Sequence, residues 1–180
     1  MTTEDGATSH EVARTARLAL RELTHEDAAF VFELVNDPAW LRFIGDRHVH
    51  SLDDARVYID KIRNGHYAKH GFGLWAVTSL SSAETLGICG LIRRDTLEHP
   101  DLGFAFLERH RGHGYAREAA AVVVGLVRER FGFTKLLAVT NTDNVASQKV
   151  LEQVGFHFDR RIEWPETGEV LMLYAQEFAS

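Results

Sequence analysis

The run RGHGYAREAAAVVVGLVRERFGF, from Arg111 to Phe133, opens with two glycines one residue apart, Gly112 and Gly114. It then turns apolar and rich in Ala and Val, as a buried helix does. Glycines at the mouth of a helix let a ligand approach the backbone closely. The first N–H groups of a helix have no partner inside it, and its dipole adds partial positive charge there. Together these features make an anion site, most often for phosphate. Two common phosphate loops do not fit. A Walker loop needs GxxxxGK followed by Ser or Thr, and the chain has none. A dinucleotide fingerprint needs GxGxxG, and Arg117 stands at its third glycine. The pattern that does fit is Arg-x-x-Gly-x-Gly, met by Arg109, Gly112 and Gly114.

A second run, NVASQKVLEQVGF, places Asn144 and Ser147 at the start of another helix. Asn144 suits an N-cap, a role compatible with ligand binding. Other residue types carry less chemistry. Of the ten histidines, His48-x-His50 and His110-x-x-His113 lack carboxylates or cysteines at ligand spacing, so no metal is expected. Cys89, the single cysteine, sits in an apolar strand and reads as a small core residue. Trp40 and Trp164 fall in expected loops and are candidates for the substrate site.

These residues need a frame. Thr15 to Leu23 alternates as a strand. Thr24 to Asp27 is a capping box with Asp in place of Glu, opening a helix to Val35, and Asn36-Asp37-Pro38 breaks it. Ser51 to Asp54 opens a second helix running to about Tyr67. Strands follow at FGLWAVTS, LGICGLIRR and DLGFAFL, the last starting at Asp101. After the glycine helix come a strand KLLAVT, a helix from Asn144 to Val154, a strand GFHFDRRI, a turn at Pro165 to Gly168 and a strand EVLMLYAQEF. The order is β-α-α-β-β-β-α-β-α-β-β. It is a mixed α/β (α+β) pattern and a poor match to a doubly wound sheet.

The chain has 180 residues, 45% hydrophobic and 26% charged, with net charge −6. That suits one domain, expected over 14–180 behind a polar tail at 1–13. The negative charge and the lack of a basic stripe argue against nucleic acid as partner. No apolar run nears the roughly 18 residues of a membrane span. A lone cysteine and the absence of a signal pattern point to the cytoplasm, as a monomer or homodimer.

With both motifs in hand, about 30 residues apart and in order, the sequence resembles the GNAT acyltransferase superfamily, in its RimJ/RimL-like N-acetyltransferase branch. RGHGYAREA is similar to that branch's pyrophosphate loop, and Asn144 to Phe156 to its second signature. LGFAF and DPAWLRFIGD also match in character, so the likeness covers nearly the whole chain after the tail. It implies a twisted mixed sheet with helices on both faces and a V-shaped splay between DLGFAFL and KLLAVT. Acetyl-CoA would enter that V as co-substrate, with no metal. Its pyrophosphate would meet Arg109 and the loop of Arg111, Gly112, His113, Gly114, Tyr115 and Ala116. Its pantetheine would pair with the backbone around Phe104, Phe106 and Leu107 and bond Asn144. Lys149 would reach the CoA phosphates, cap a carbonyl, or simply be solvated.

The implied reaction is acetyl transfer to a primary amine by direct attack in a ternary complex. It needs a neutral amine, a held oxyanion and an acid for the leaving thiolate. Many relatives supply that acid as a Tyr seven residues after the motif Asn. Here the position is Leu151, and Ser147 is the substitute, or else a helix hydroxyl bonded to backbone. Asp101 is either a base acting through water or a charged strand end. Making a chain N-terminus neutral at pH 7 costs about 1 kcal/mol, and a lysine about 4.6 kcal/mol. A peptide N-terminal α-amine is therefore the easier acceptor. A small amine (aminoglycoside or polyamine) and a CoA-binding sensor without turnover remain alternatives. The loops from Pro38 to Asp54 and Ile162 to Gly168 are expected to shape the acceptor pocket.

Overall fold

Leu86 through Leu91 are all buried, glycines included, so both faces of the strand that carries them are covered. This strand lies mid-sheet in the computed structural model, which describes residues 9–179. The elements run β1 (Glu11–Arg14), β2 (Leu18–Arg21), α1 (Ala28–Val35), α2 (Pro38–Phe43), α3 (Leu52–Ile62), α4 (Ala68–His70), β3 (Leu74–Ser79), β4 (Thr85–Ile92), β5 (Asp101–Phe106), α5 (Tyr115–Leu126), β6 (Lys135–Asn141), α6 (Val145–Gln153), β7 (His157–Glu163) and β8 (Val170–Glu177). The sheet order is β1-β2-β3-β4-β5-β6-β8-β7, and only β5 and β6 pair in parallel. Helix α5 packs over β2, β4 and β5 and against α6, and α1 packs on α3. The mixed α/β sheet with its helices matches the expected class.

Three local departures have physical causes. The strand expected from Thr15 is a hairpin, because the Thr15 hydroxyl accepts the Leu18 N–H at 3.0 Å and turns the chain. β1 therefore pairs with β2, and residues Glu11 to Ala13, expected in the polar tail, belong to the sheet. The rest of that tail, 1–8, lies outside the described residues. Second, Asn36-Asp37-Pro38 ends α1 but also starts α2. The Asp37 side chain accepts the Ala39 N–H at 2.9 Å, and Pro38 sits at the first helical position, where its missing N–H costs nothing. Trp40 is thus on a helix and buried, not on a loop. Third, α3 and α5 each run on through a π turn, Arg63–Tyr67 and Val127–Phe131.

The expected caps do form. The Thr24 N–H donates to Asp27 at 2.9 Å, and Arg21 holds the same carboxylate with two hydrogen bonds. The Ser51 hydroxyl accepts the Asp54 N–H at 3.0 Å. Cys89 is buried in β4, and burial pushes its thiol up, as fits a core residue. No helix among the described residues is long and apolar enough to cross a membrane.

Candidate active site

β5 and β6 meet at one rung. Asp101 faces Leu137, and the Leu137 N–H donates to the Pro100 carbonyl at 3.0 Å. Beyond that rung the strands diverge, while β4 keeps β5 paired along its length and β8 keeps β6 paired. The gap between them opens into a cavity of about 700 Å³, walled by Leu102–Phe106 on one side and Ala138–Asn141 on the other.

One end of the cavity is the glycine loop. Gly112 and Gly114 both have φ +80, a left-handed conformation that other residues adopt at a cost. A Cβ on Gly112 would meet nothing of the protein within 4 Å, so packing of the chain itself does not demand glycine there. The N–H groups of Gly112 through Arg117 find no acceptor among the described residues, whereas Arg111 N–H is taken by the Glu108 carbonyl. The free donors thus start one residue later than expected and run one residue further. The loop is braced from outside. Glu118 accepts from the Thr15 hydroxyl at 2.6 Å and from the backbone and side chain of Arg17, and Arg17 also donates to the His113 carbonyl at 2.9 Å.

Opposite lies the start of α6. Asn144 caps it, its Oδ1 accepting the Ser147 N–H at 3.3 Å. Both residues line the cavity, as does Leu151. The Ser147 hydroxyl makes no hydrogen bond among the described residues.

At the vertex sits Asp101, only 1% exposed. Arg94 Nε donates to both its oxygens, at 3.0 and 3.2 Å. Burial pushes the carboxyl up to about 6, and the Arg94 cation draws it only part of the way back. This carboxylate at the strand's start is thus buried and paired with a cation. The wall beyond it carries Trp40, Tyr58, Arg47 and Arg94. The Trp40 Nε1–H is buried without an acceptor among the described residues.

The structure brings Asp101, Phe104, Phe106, Arg111, Gly112, Gly114, Tyr115, Ala116, Asn144, Ser147 and Trp40 onto one cavity. Five expected site residues lie outside its walls. Leu107 is core, with its N–H on the Leu86 carbonyl. Arg109 is held outside by Glu33 and Glu84. His113 stacks beside Tyr115 at 5.7 Å, Lys149 is exposed, and Trp164 lies under the Arg94 guanidinium at 5.5 Å. Arg111 does line the cavity, but its guanidinium is committed to the Phe106 carbonyl and to Asp37. Burial acts to raise the Asp37 carboxyl, and the hydrogen bonds from Arg111 and Ala39 outweigh it and hold it low. The sequence reading missed Arg47, Tyr58 and Arg94. Two signals were visible: Arg47 lies in the loop expected to shape the acceptor pocket, and the pair Arg93-Arg94 closes an apolar strand. No group of three His, Cys, Asp or Glu among the described residues is placed to hold a metal.

This geometry can be set beside known proteins. A family model for the acetyltransferase (GNAT) domain matches residues 17–157. The chain belongs to the GNAT family. It is an acetyl-CoA-dependent N-acetyltransferase. Among curated relatives, the GNAT chain is 29% identical over 153 residues to YkkB of Bacillus subtilis, covering 82% of this chain and 86% of that one. It is 26% identical over 146 residues to the N-acetyltransferase YoaA of the same organism, covering 81% and 82%. Among solved structures, RimL, a ribosomal-protein α-N-acetyltransferase, superposes with TM-score 0.80 at 15% identity, over 94% of this chain and 95% of that one. At that identity the likeness concerns the fold.

The buried carboxylate of this GNAT enzyme has a stability signature. Its folded value, about 6, lies above the unfolded value near 3.9. The folded chain therefore binds more protons between those values. The contribution is full below about pH 4 and is lost as pH rises through about 6. Asp101→Asn does not titrate, so its melting temperature relative to wild type should climb by several degrees between pH 4.5 and 7.5. A difference that stays flat or falls across that range would show that Asp101 is not raised.

Proposed function

We propose that the enzyme acetylates a low-pKa α-amine, that of a peptide or protein N-terminus, by direct attack in a ternary complex. Acetyl-CoA supplies the activated acetyl thioester. The free N–H groups of Gly112 through Arg117 bind the pyrophosphate oxygens, and the Asn144 amide binds the pantetheine arm. The unpaired edge of β5 near Phe104 offers main-chain partners to that arm, as a neighbouring strand would. The Phe106 carbonyl and Leu107 N–H are already engaged, so this edge ends at Ala105.

The observation that carries the reading is Asp101 at the vertex, where the two ends of the cavity meet. A carboxyl near 6 is ionised at neutral pH and can take the acceptor's proton, directly or through one water. It is better matched to an amine titrating near 8 than to a lysine near 10.4. The other carboxylate on the cavity wall, Asp37, is committed to Arg111. The Ser147 hydroxyl is free to protonate the departing thiolate. RimL, similar in fold, acts on a protein α-amine, which agrees with this acceptor class. The buried, lone Cys89 agrees with a cytoplasmic setting.

The phosphate role of the loop is tested by Gly112→Ala. A methyl group there meets only space reserved for ligand, besides the left-handed strain of roughly 1–2 kcal/mol. Gly132, with φ +64 and nothing within 4 Å, is the matched control. Both variants should melt lower by a similar amount. Only Gly112→Ala should lose acetyl-CoA affinity by about tenfold or more in calorimetry. Equal affinities would return Gly112 to a plain turn.

Ser147→Ala should lower kcat by about 10²-fold while the Kd for acetyl-CoA changes little, since the proton is needed only as the thiolate leaves. Loss of acetyl-CoA affinity with kcat intact would make Ser147 a binding contact instead.

The acceptor reading predicts the pH profile. Both Asp101 and the amine must be deprotonated. For a free N-terminal peptide, log kcat/KM should rise with slope near 2 below about pH 6, slope near 1 to about pH 8, and then level. Asp101→Asn should lose the lower bend and act more slowly throughout. A peptide blocked at its N-terminus but containing lysine should be far slower at pH 7. A preference for that lysine would sink the α-amine reading.

A further inference from the structure

A second pocket, of about 360 Å³, adjoins the acceptor end of the cavity and shares Arg47, Tyr58, Leu74, Ile92 and Arg94 with it. Its remaining ionisable residues are Lys61 and His66, and no Asp or Glu lines it. Elsewhere in this chain of net charge −6, several arginines are neutralised by neighbours. Arg17, Arg21, Arg42, Arg109 and Arg111 each face a carboxylate within hydrogen-bond distance. Arg47 and Lys61 have no carboxylate partner among the described residues. Arg94 gives only its Nε to Asp101, which leaves both terminal nitrogens of its fork uncommitted. His66 Nδ1 is buried with no partner among the described residues. Three cations thus line one pocket that carries no carboxylate of its own, beside the vertex.

We propose that this pocket receives an anionic group carried by the acceptor itself, a carboxylate or phosphate oxyanion within its first few residues, bound by Arg47, Lys61 and the free fork of Arg94. The proposal rests on the reading that the acceptor amine is attacked beside Asp101. An arginine fork and a lysine suit an oxyanion and repel a second cation. A polyamine or aminoglycoside would bring positive charge into a pocket without a counter-charge, so this class of acceptor is disfavoured. The same cations also disfavour the ammonium form of the incoming amine, which helps deliver it neutral. Tyr58, between the two spaces, feels both arginines: burial pushes its phenol up while Arg47 and Arg94 pull it back.

The test uses the full chain and free-amine hexapeptides bearing Glu, phosphoserine, Gln or Lys at position one, two or three, with thiol release giving kcat/KM. Free glutamate and its diamide form a small-molecule arm. Glu or phosphoserine at one position should exceed Gln by about tenfold or more, with Lys below Gln. Lys61→Glu should collapse that preference and favour Lys, and Lys61→Gln should fall between. Equal rates for Glu and Gln at every position, with peptides turned over, would overturn the anionic pocket and leave the α-amine reading standing. Turnover of free glutamate over its diamide without peptide turnover would uphold the pocket and move the acceptor to small acids. No turnover of any peptide or of free glutamate would overturn both, whereas turnover of the Gln or Lys peptides alone would overturn only the pocket.

Discussion

The single rung between β5 and β6 is the constraint on which the rest depends. Backbone N–H and C=O groups away from water must find partners, and leaving one unmade costs about 1–3 kcal/mol. Past Asp101 and Leu137 the two central strands decline to satisfy each other. The sheet tolerates this because each strand is fully paired on its far side, β5 with β4 and β6 with β8. What remains is a strand edge in the middle of the molecule, accessible from both ends of a continuous cavity. A ligand with amide groups of its own can complete the sheet there.

The electrostatics follow from where the rung sits. Asp101 is the one residue of β5 paired on both sides, with Ile92 of β4 and Leu137 of β6, so it is desolvated, and its one cationic partner does not fully offset that loss. Arg94 gains its position from the end of β4, in register with the start of β5, where Ile92 faces Asp101. One short stretch of pairing thus places a carboxylate, its partner and the apex of the cleft together. The donor end is held by different means: Glu118 and Arg17 tie the β1–β2 turn to the mouth of α5, and the loop keeps its left-handed glycines with their amides bare.

Much of this was legible in the chain. Alternation and capping chemistry located most strands and helices, because those signals are local. Gly112, Gly114, Asn144 and Ser147 were readable for the same reason: a glycine at a helix mouth or an amide at an N-cap has few uses. The illegible parts are those that depend on distant partners. Pro38 could equally end one helix or begin another, and the choice rests on Asp37 finding both the Ala39 N–H and Arg111. Arg109 looked like a phosphate ligand until two glutamates from separate elements claimed it. The burial of Asp101 was not legible, because it comes from pairing with both β4 and β6 and from Arg94. The cationic wall was hidden too, since Arg47, Lys61 and Arg94 are scattered through a sequence that is acidic on balance.

The vertex separates two sets of segments with little in common. The cavity wall formed by β5, the α5 loop, β6 and α6 comes from Asp101 onward. The wall beyond Asp101 comes mainly from short helices between β2 and β3, with the end of β4. Under the proposed function, variation in that stretch reshapes the acceptor wall, while the bare amides of the glycine loop, held by Glu118 and Arg17, stay in place.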